Sequence, residues 1–150
     1  MKKIEETKGY QKHLKAVKLV GWNLQFVPLK FRTYELCSVA VKDWANSFKY
    51  VPEELRTKEL CKMAVKKDGY NLRFVPEVQR TKELCEIAVK NFPYALSYVP
   101  EKFITSELCE IAVSEYGVNL KYVPEEYKTL ELCLEAVKDN GTALQWVPEE

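Results

Sequence analysis

Apolar and polar positions follow a helical step along this chain, and the step stops and restarts every 24 residues. One unit shows the pattern. Leu60, Cys61, Ala64 and Val65 fall at i, i+1, i+4 and i+5, one stripe of a helix to be buried. Thr57 is placed to cap that helix, its hydroxyl accepting from a free N–H of the first turn. Glu59 lies in the first turn and Lys66 and Lys67 in the last, the ends where the helix dipole favours each charge. Gly69 is expected to supply the break. A second, short helix follows, with Leu72 and Val75 inward and Tyr70 one turn before Phe74. Pro76 closes it, because the residue before a proline is pushed out of the α region.

The same unit recurs. RTKELC stands at residues 56–61 and again at 80–85. Cysteine returns at Cys37, Cys61, Cys85, Cys109 and Cys133, and threonine at Thr33, Thr57, Thr81, Thr105 and Thr129. Pro28, Pro52, Pro76, Pro100, Pro124 and Pro148 keep the same step, each after an aromatic–Val pair. The unit is T-x-E-L-C-x-x-A-V-x-x-x-G-x-x-L-x-aromatic-V-P-E-x-x-x, in six copies with a degenerate first one. Pro93 replaces the glycine of the fourth copy, which marks a helix boundary because proline suits a first helical position. One helix pair cannot bury its stripe alone, whereas stacked pairs can. The expected fold is all-α, an α-solenoid of about six 24-residue two-helix repeats. It forms one domain over residues 1–150, with 1–32 a capping repeat and 33–150 five regular repeats.

The cysteines are expected to be small buried packing residues. Equivalent positions in adjacent repeats lie one helix-packing step apart, beyond the ~7 Å between Cα atoms that a disulfide tolerates. No Cys-x-x-Cys pair exists and His13 is the one histidine, so a local four-ligand zinc site is not expected. His13 takes the cysteine slot of the first repeat, and Lys12 and Lys15 replace apolar residues there. That repeat is expected to be a polar cap.

The run A-V-K-x-x-G-x-x-L-x-[FYW]-V-P-E-E-L-R carries a resemblance. It is clearest at Ala64, Lys66, Gly69, Leu72, Val75, Pro76 and Arg80, and it resembles the bacterial helical repeat family known as domain of unknown function 4116. The resemblance covers nearly the whole chain and weakens before residue 16. It implies an α-helical array and macromolecular binding, of the kind found in effector-like and repeat-array proteins. It brings no catalytic residues and no cofactor.

Composition narrows the function classes. Apolar residues make up 47 %, enough for a core, and the net charge of +1 draws the chain to no polyanion. No apolar run approaches the ~20 residues of a membrane span. The start lacks the apolar segment of a signal peptide, and five cysteines, an odd count, argue against a secreted disulfide framework. A cytoplasmic location is expected. No phosphate loop, nucleophile elbow or metal-protease motif is present, so an enzyme is not expected.

Charge is uneven along the chain. Residues 1–34 carry eight Lys/Arg against two acids (+6), 35–100 eleven against nine (+2), and 101–150 four against eleven (−7). The basic N-terminal end is the basis of an alternative, a nucleic-acid-associated protein contacting phosphates. The acidic last repeats count against a continuous RNA track. A protein partner is the preferred expectation. The slots flanking the repeat glycine vary between copies yet are rich in aromatics, and Tyr and Trp are favoured anchors. They nominate Trp22, Trp44, Tyr70, Phe92, Tyr94 and Tyr116 as a candidate protein-binding band. The function expected is a non-enzymatic protein-binding module, an effector or inhibitor docking on a larger protein.

The stripe makes the first prediction. Leu60→Ala is expected to lower the stability of the chain by ~2–5 kcal/mol in urea denaturation, as truncation of a core leucine does. A loss below about 0.5 kcal/mol, the level of an ordinary surface substitution, would place the stripe on the wrong face.

Overall fold

The computed structural model describes residues 3–149. Six α-helices follow one another: α1 (Lys8–Leu19), α2 (Tyr34–Asp43), α3 (Lys58–Lys67), α4 (Lys82–Asn91), α5 (Ser106–Glu115) and α6 (Leu130–Asp139). Each leads into a six-residue 3₁₀ helix: Gly21–Phe26, Ala45–Tyr50, Gly69–Phe74, Pro93–Tyr98, Gly117–Tyr122 and Gly141–Trp146. A further three-residue 3₁₀ turn, which the pattern did not announce, follows the proline in the first five repeats; Glu77–Gln79 is one. No strand occurs among the described residues. The chain is the all-α repeat array that the 24-residue period predicts, with Pro93 at the first position of its 3₁₀ helix.

Local chemistry explains the starts. Thr33, Thr57, Thr81, Thr105 and Thr129 cap α2 to α6, each hydroxyl accepting from the leucine N–H three residues on. The first repeat has Gly9 in the threonine slot, where no side chain can cap. Thr7 takes over, accepting from the Tyr10 N–H at 3.2 Å, and α1 runs to 12 residues where its siblings have 10.

The buried stripe is the expected one. Leu60, Cys61, Ala64 and Val65 are all buried, as are their counterparts in α2, α4 and α5. Leu24, Phe48, Leu72, Leu96 and Leu120 reach the same core from the 3₁₀ helices. Each α-helix packs against its neighbours in the chain, and α2 to α6 also pack against the 3₁₀ helix of the repeat before. Contacts are therefore nearest-neighbour, as in other solenoids.

Two features hold consecutive repeats in register, and one corrects the expectation for glycine. No glycine has a positive φ. α3 ends instead on Asp68 in an extended conformation, its N–H donating to the Ala64 carbonyl, and Gly69 opens the next helix. Glycine is there for space. A Cβ on Gly21 would lie 2.4 Å from the Ala40 carbonyl oxygen of the next repeat, and one on Gly69 or Gly117 would lie 2.2 Å from that of Ala88 or Ala136.

The second feature is a row of arginines. Arg32 donates from Nε to the Val27 carbonyl (2.8 Å) and from Nη1 to the Tyr50 carbonyl of the following repeat (2.6 Å). Arg56 and Arg80 repeat this bridge to Phe74 and Tyr98. The equivalent Ile104 packs on the core instead.

The glycine contact yields a paired test. Gly69→Ala forces a Cβ into a backbone carbonyl and is expected to cost ~1–3 kcal/mol, as overpacking does. A Cβ on Gly141 would meet nothing within 4 Å. Gly141→Ala is therefore expected to be neutral or to stabilise by ~0.4–1 kcal/mol through the unfolded chain. Equal losses in the two variants, measured by chemical denaturation, would refute the packing role.

Candidate functional site

The six nominated aromatics flank the repeat glycine, and the backbone there decides where they point. Gly21, Gly69 and Gly117 are buried against the next repeat, while the residues on either side turn outward. Trp44, Phe92 and Tyr116 are the C-terminal caps of α2, α4 and α5, all in extended conformation. Trp22, Tyr70 and Tyr94 are second residues of their 3₁₀ helices.

Four of the six come together. Tyr70 meets Phe92 edge to face at 5.5 Å between ring centroids, Phe92 meets Tyr94 at 5.8 Å, and Tyr94 meets Tyr116 at 5.0 Å. This ridge runs across the third, fourth and fifth repeats. The step between repeats has a simple rule: the residue after the glycine slot reaches the one before the next slot, 22 residues on. Asp43 and Asp139 use that same step, accepting from the Gly21 and Gly117 N–H groups at 2.7 Å.

The single six-membered band expected from the sequence is not formed. Trp22 packs edge to face on Phe26. Among the described residues no ring contact joins it to Trp44, although the two stand 22 apart. The step from the second to the third repeat pairs Asn46 with Asp68, which have no rings to continue the row. Trp44 stands apart beside a shallow hollow lined by Asp43, Asn46, Lys67 and Asp68.

Sequence reasoning missed the ridge's extension. Phe74 lies edge to face with Tyr70, and the Arg73 guanidinium stacks 4.9 Å from both rings and 5.9 Å from Tyr98. Phe74 belongs to the constant aromatic–Val–Pro run, which hid it. Arg73 sits in a slot occupied by Gln25, Lys49, Ser97, Lys121 and Gln145 in the other repeats. An arginine beside aromatics was the available signal.

Exposure separates anchors from packing. Trp44 (50 % exposed) and Tyr116 (45 %) are open to a partner. Phe92 is half-buried and packs on the core, while Tyr70 and Tyr94 are half-buried within the ridge.

The cysteines form no reactive cluster. All five are free and buried. Burial pushes the Cys37 thiol up from 9.0 to about 12, and those of Cys61, Cys85 and Cys109 to about 11. Cys133 is raised for the same reason. Half-buried His13 lies over Phe31 at 5.3 Å. Among the described residues, no group of three His, Cys, Asp or Glu is placed to hold a metal ion. No helix described is long and apolar enough to cross a membrane.

The thiols give a signed prediction. Their folded-state pKa values exceed the unfolded value, so the stability they contribute is complete below about pH 9 and is lost as pH rises from there toward 11–12. Maleimide labelling followed by intact-mass measurement is expected to be slow for the native chain at neutral pH and fast in denaturant. Rapid native labelling of most thiols would contradict their burial.

The model of a family described as "Domain of unknown function (DUF4116)" matches residues 13–56, 57–104 and 105–150. Each match spans about two of the 24-residue repeats. No curated protein and no solved structure matches the chain.

Proposed function

The chain belongs to the family Domain of unknown function (DUF4116), and from that premise we propose that it is a non-enzymatic protein-binding repeat module. In this reading it works in the cytoplasm as an effector or inhibitor that docks on a larger protein. The observation that carries the proposal is the ridge Tyr70–Phe92–Tyr94–Tyr116 with Arg73 against its end. Tyr, Trp and Arg dominate the energetics of protein interfaces because they bury large area at small entropic loss. A row of rings across three repeats is a larger anchor than any single repeat carries.

The arginine bridges support this reading over phosphate binding. Arg32, Arg56 and Arg80 each commit Nε and Nη1 to backbone carbonyls, which leaves a polyanion chiefly lysines, in excess over acids mainly in residues 1–34. Nucleic-acid binding through those lysines would fall steeply with salt. Mobility shifts with short RNA and DNA at two salt concentrations measure it.

The test is capture from the native cell by the wild-type chain and by Trp44→Ala and Tyr116→Ala, read by quantitative mass spectrometry. A specific protein partner is expected to be lost in both variants, each weakened by ~1–2 kcal/mol. The melting temperature is expected to hold, because both side chains are half exposed. Phe92→Ala, by contrast, is expected to lower it. Unchanged binding in Tyr116→Ala would remove the ridge from the interface, and unchanged binding in Trp44→Ala would remove the separate hollow beside Trp44.

A further inference from the structure

The chain has four arginines, and three of them serve its own backbone. Arg32, Arg56 and Arg80 each donate from Nε and Nη1 to carbonyls of their own and the following repeat. Arg73 is the exception. Its guanidinium lies 4.9 Å from the Tyr70 ring, 4.9 Å from Phe74 and 5.9 Å from Tyr98, and Nη1 donates to the Tyr70 hydroxyl. Among the described residues this guanidinium makes no other hydrogen bond and has no carboxylate within 4.0 Å. Most of its N–H donors are therefore uncommitted, on an exposed side chain.

The rings fix where those donors point. A surface arginine samples many rotamers, and holding one of them for a partner costs entropy. Here the stacking and the Tyr70 hydroxyl hold the guanidinium plane beforehand, so less freedom is lost on binding. Lys49 and Lys121 occupy the same slot in other repeats and lie over Tyr50 at 4.9 Å and Tyr122 at 4.5 Å. Among the described residues, only Arg73 lies over a ring of the ridge, that of Tyr70. A planar fork of donors held in this way matches the paired oxygens of a carboxylate or a phosphate.

The surrounding charges choose between the two. Exposed Glu53, Glu77 and Glu101 follow the prolines of the second, third and fourth repeats. Asp68 stands beside the ridge, its Oδ1 accepting from the Tyr70 N–H at 3.0 Å, with Lys67 next to it in the chain. A continuous polyphosphate laid along these repeats would meet a carboxylate in each of them. A single carboxylate set against Arg73 meets only the guanidinium, and the apolar side chains beside it in a polypeptide meet the rings.

We propose that Arg73 is the specificity-determining residue of the ridge, an inference that rests on the protein-binding reading above. It takes an Asp or Glu side-chain carboxylate from the partner, while neighbouring aromatic or aliphatic side chains of the same segment lie on Tyr70, Phe92 and Tyr94. The partner therefore presents an acidic residue next to apolar ones. A segment with Lys or Arg in that place is rejected, because it sets like charge against a fixed guanidinium.

Selection on the full chain from short random peptides tests this, the peptides being fused to a phage coat protein by their C-termini so that only side chains offer carboxylates. The wild type is expected to enrich peptides with Asp or Glu beside an aromatic residue. Arg73→Glu is expected to enrich Lys or Arg in that place instead. A synthetic copy of an enriched peptide, followed by fluorescence anisotropy, is expected to bind Arg73→Lys about tenfold more weakly, because the ammonium keeps the charge and loses the fork. The melting temperature of Arg73→Lys is expected to hold, since the side chain is exposed. Peptides enriched without an acidic preference, yet weakened by Tyr116→Ala, would overturn the role of Arg73 and keep the ridge. Acidic peptides still chosen by Arg73→Glu would do the same. Peptides that Tyr116→Ala leaves untouched, or no enrichment at all, would remove the ridge and this inference together. Uridine-rich RNA that binds the wild type and is lost in Arg73→Lys would assign the guanidinium to phosphate and overturn the proposal too.

Discussion

The contact on which the array depends is the meeting of a glycine backbone with the alanine carbonyl of the next repeat. At Gly21, Gly69 and Gly117 the two backbones lie so close that a single Cβ would sit 2.2–2.4 Å from an oxygen. Close approach there buries the glycine, and the flanking residues are turned outward to the edge. The candidate binding surface is thus a by-product of the packing step. The glycine contact at Gly69 accompanies the 22-residue relation that brings Tyr70 to Phe92, and the fourth repeat, with Pro93 in the slot, reaches the same relation between Tyr94 and Tyr116.

That contact also reveals a period longer than 24. The three close glycines lie in the first, third and fifth repeats, and the second and fourth have Ala45 and Pro93 instead. Two residues on, the odd repeats carry Asn23, Asn71 and Asn119, each donating to the carbonyl of the α-helix alanine seven residues back. The even repeats carry Ser47, Ala95 and Ala143, all buried. A tight interface therefore alternates with a looser one. The three family matches, each close to 48 residues, follow this alternation.

The regular parts of the fold were legible because they rest on local chemistry. The threonine caps, the Leu–Cys–Ala–Val stripe, the helix boundary at Pro93 and the burial of the cysteines all follow from residue type and spacing. Gly69 was read as the break after α3, and its role in packing was missed because glycine's two uses, conformational freedom and small size, look the same in a sequence. Only the position of the neighbouring Ala88 carbonyl separates them. The aromatic band was half legible for a related reason. Spacing along the chain nominates Trp22, Trp44, Tyr70, Phe92, Tyr94 and Tyr116, and four of them touch in a row. Which rings touch depends on pairs 22 residues apart, and the Asn46–Asp68 pair breaks the row. The arginine bridges were visible as a 24-residue recurrence, but their carbonyl partners belong to the following repeat and leave no mark of their own.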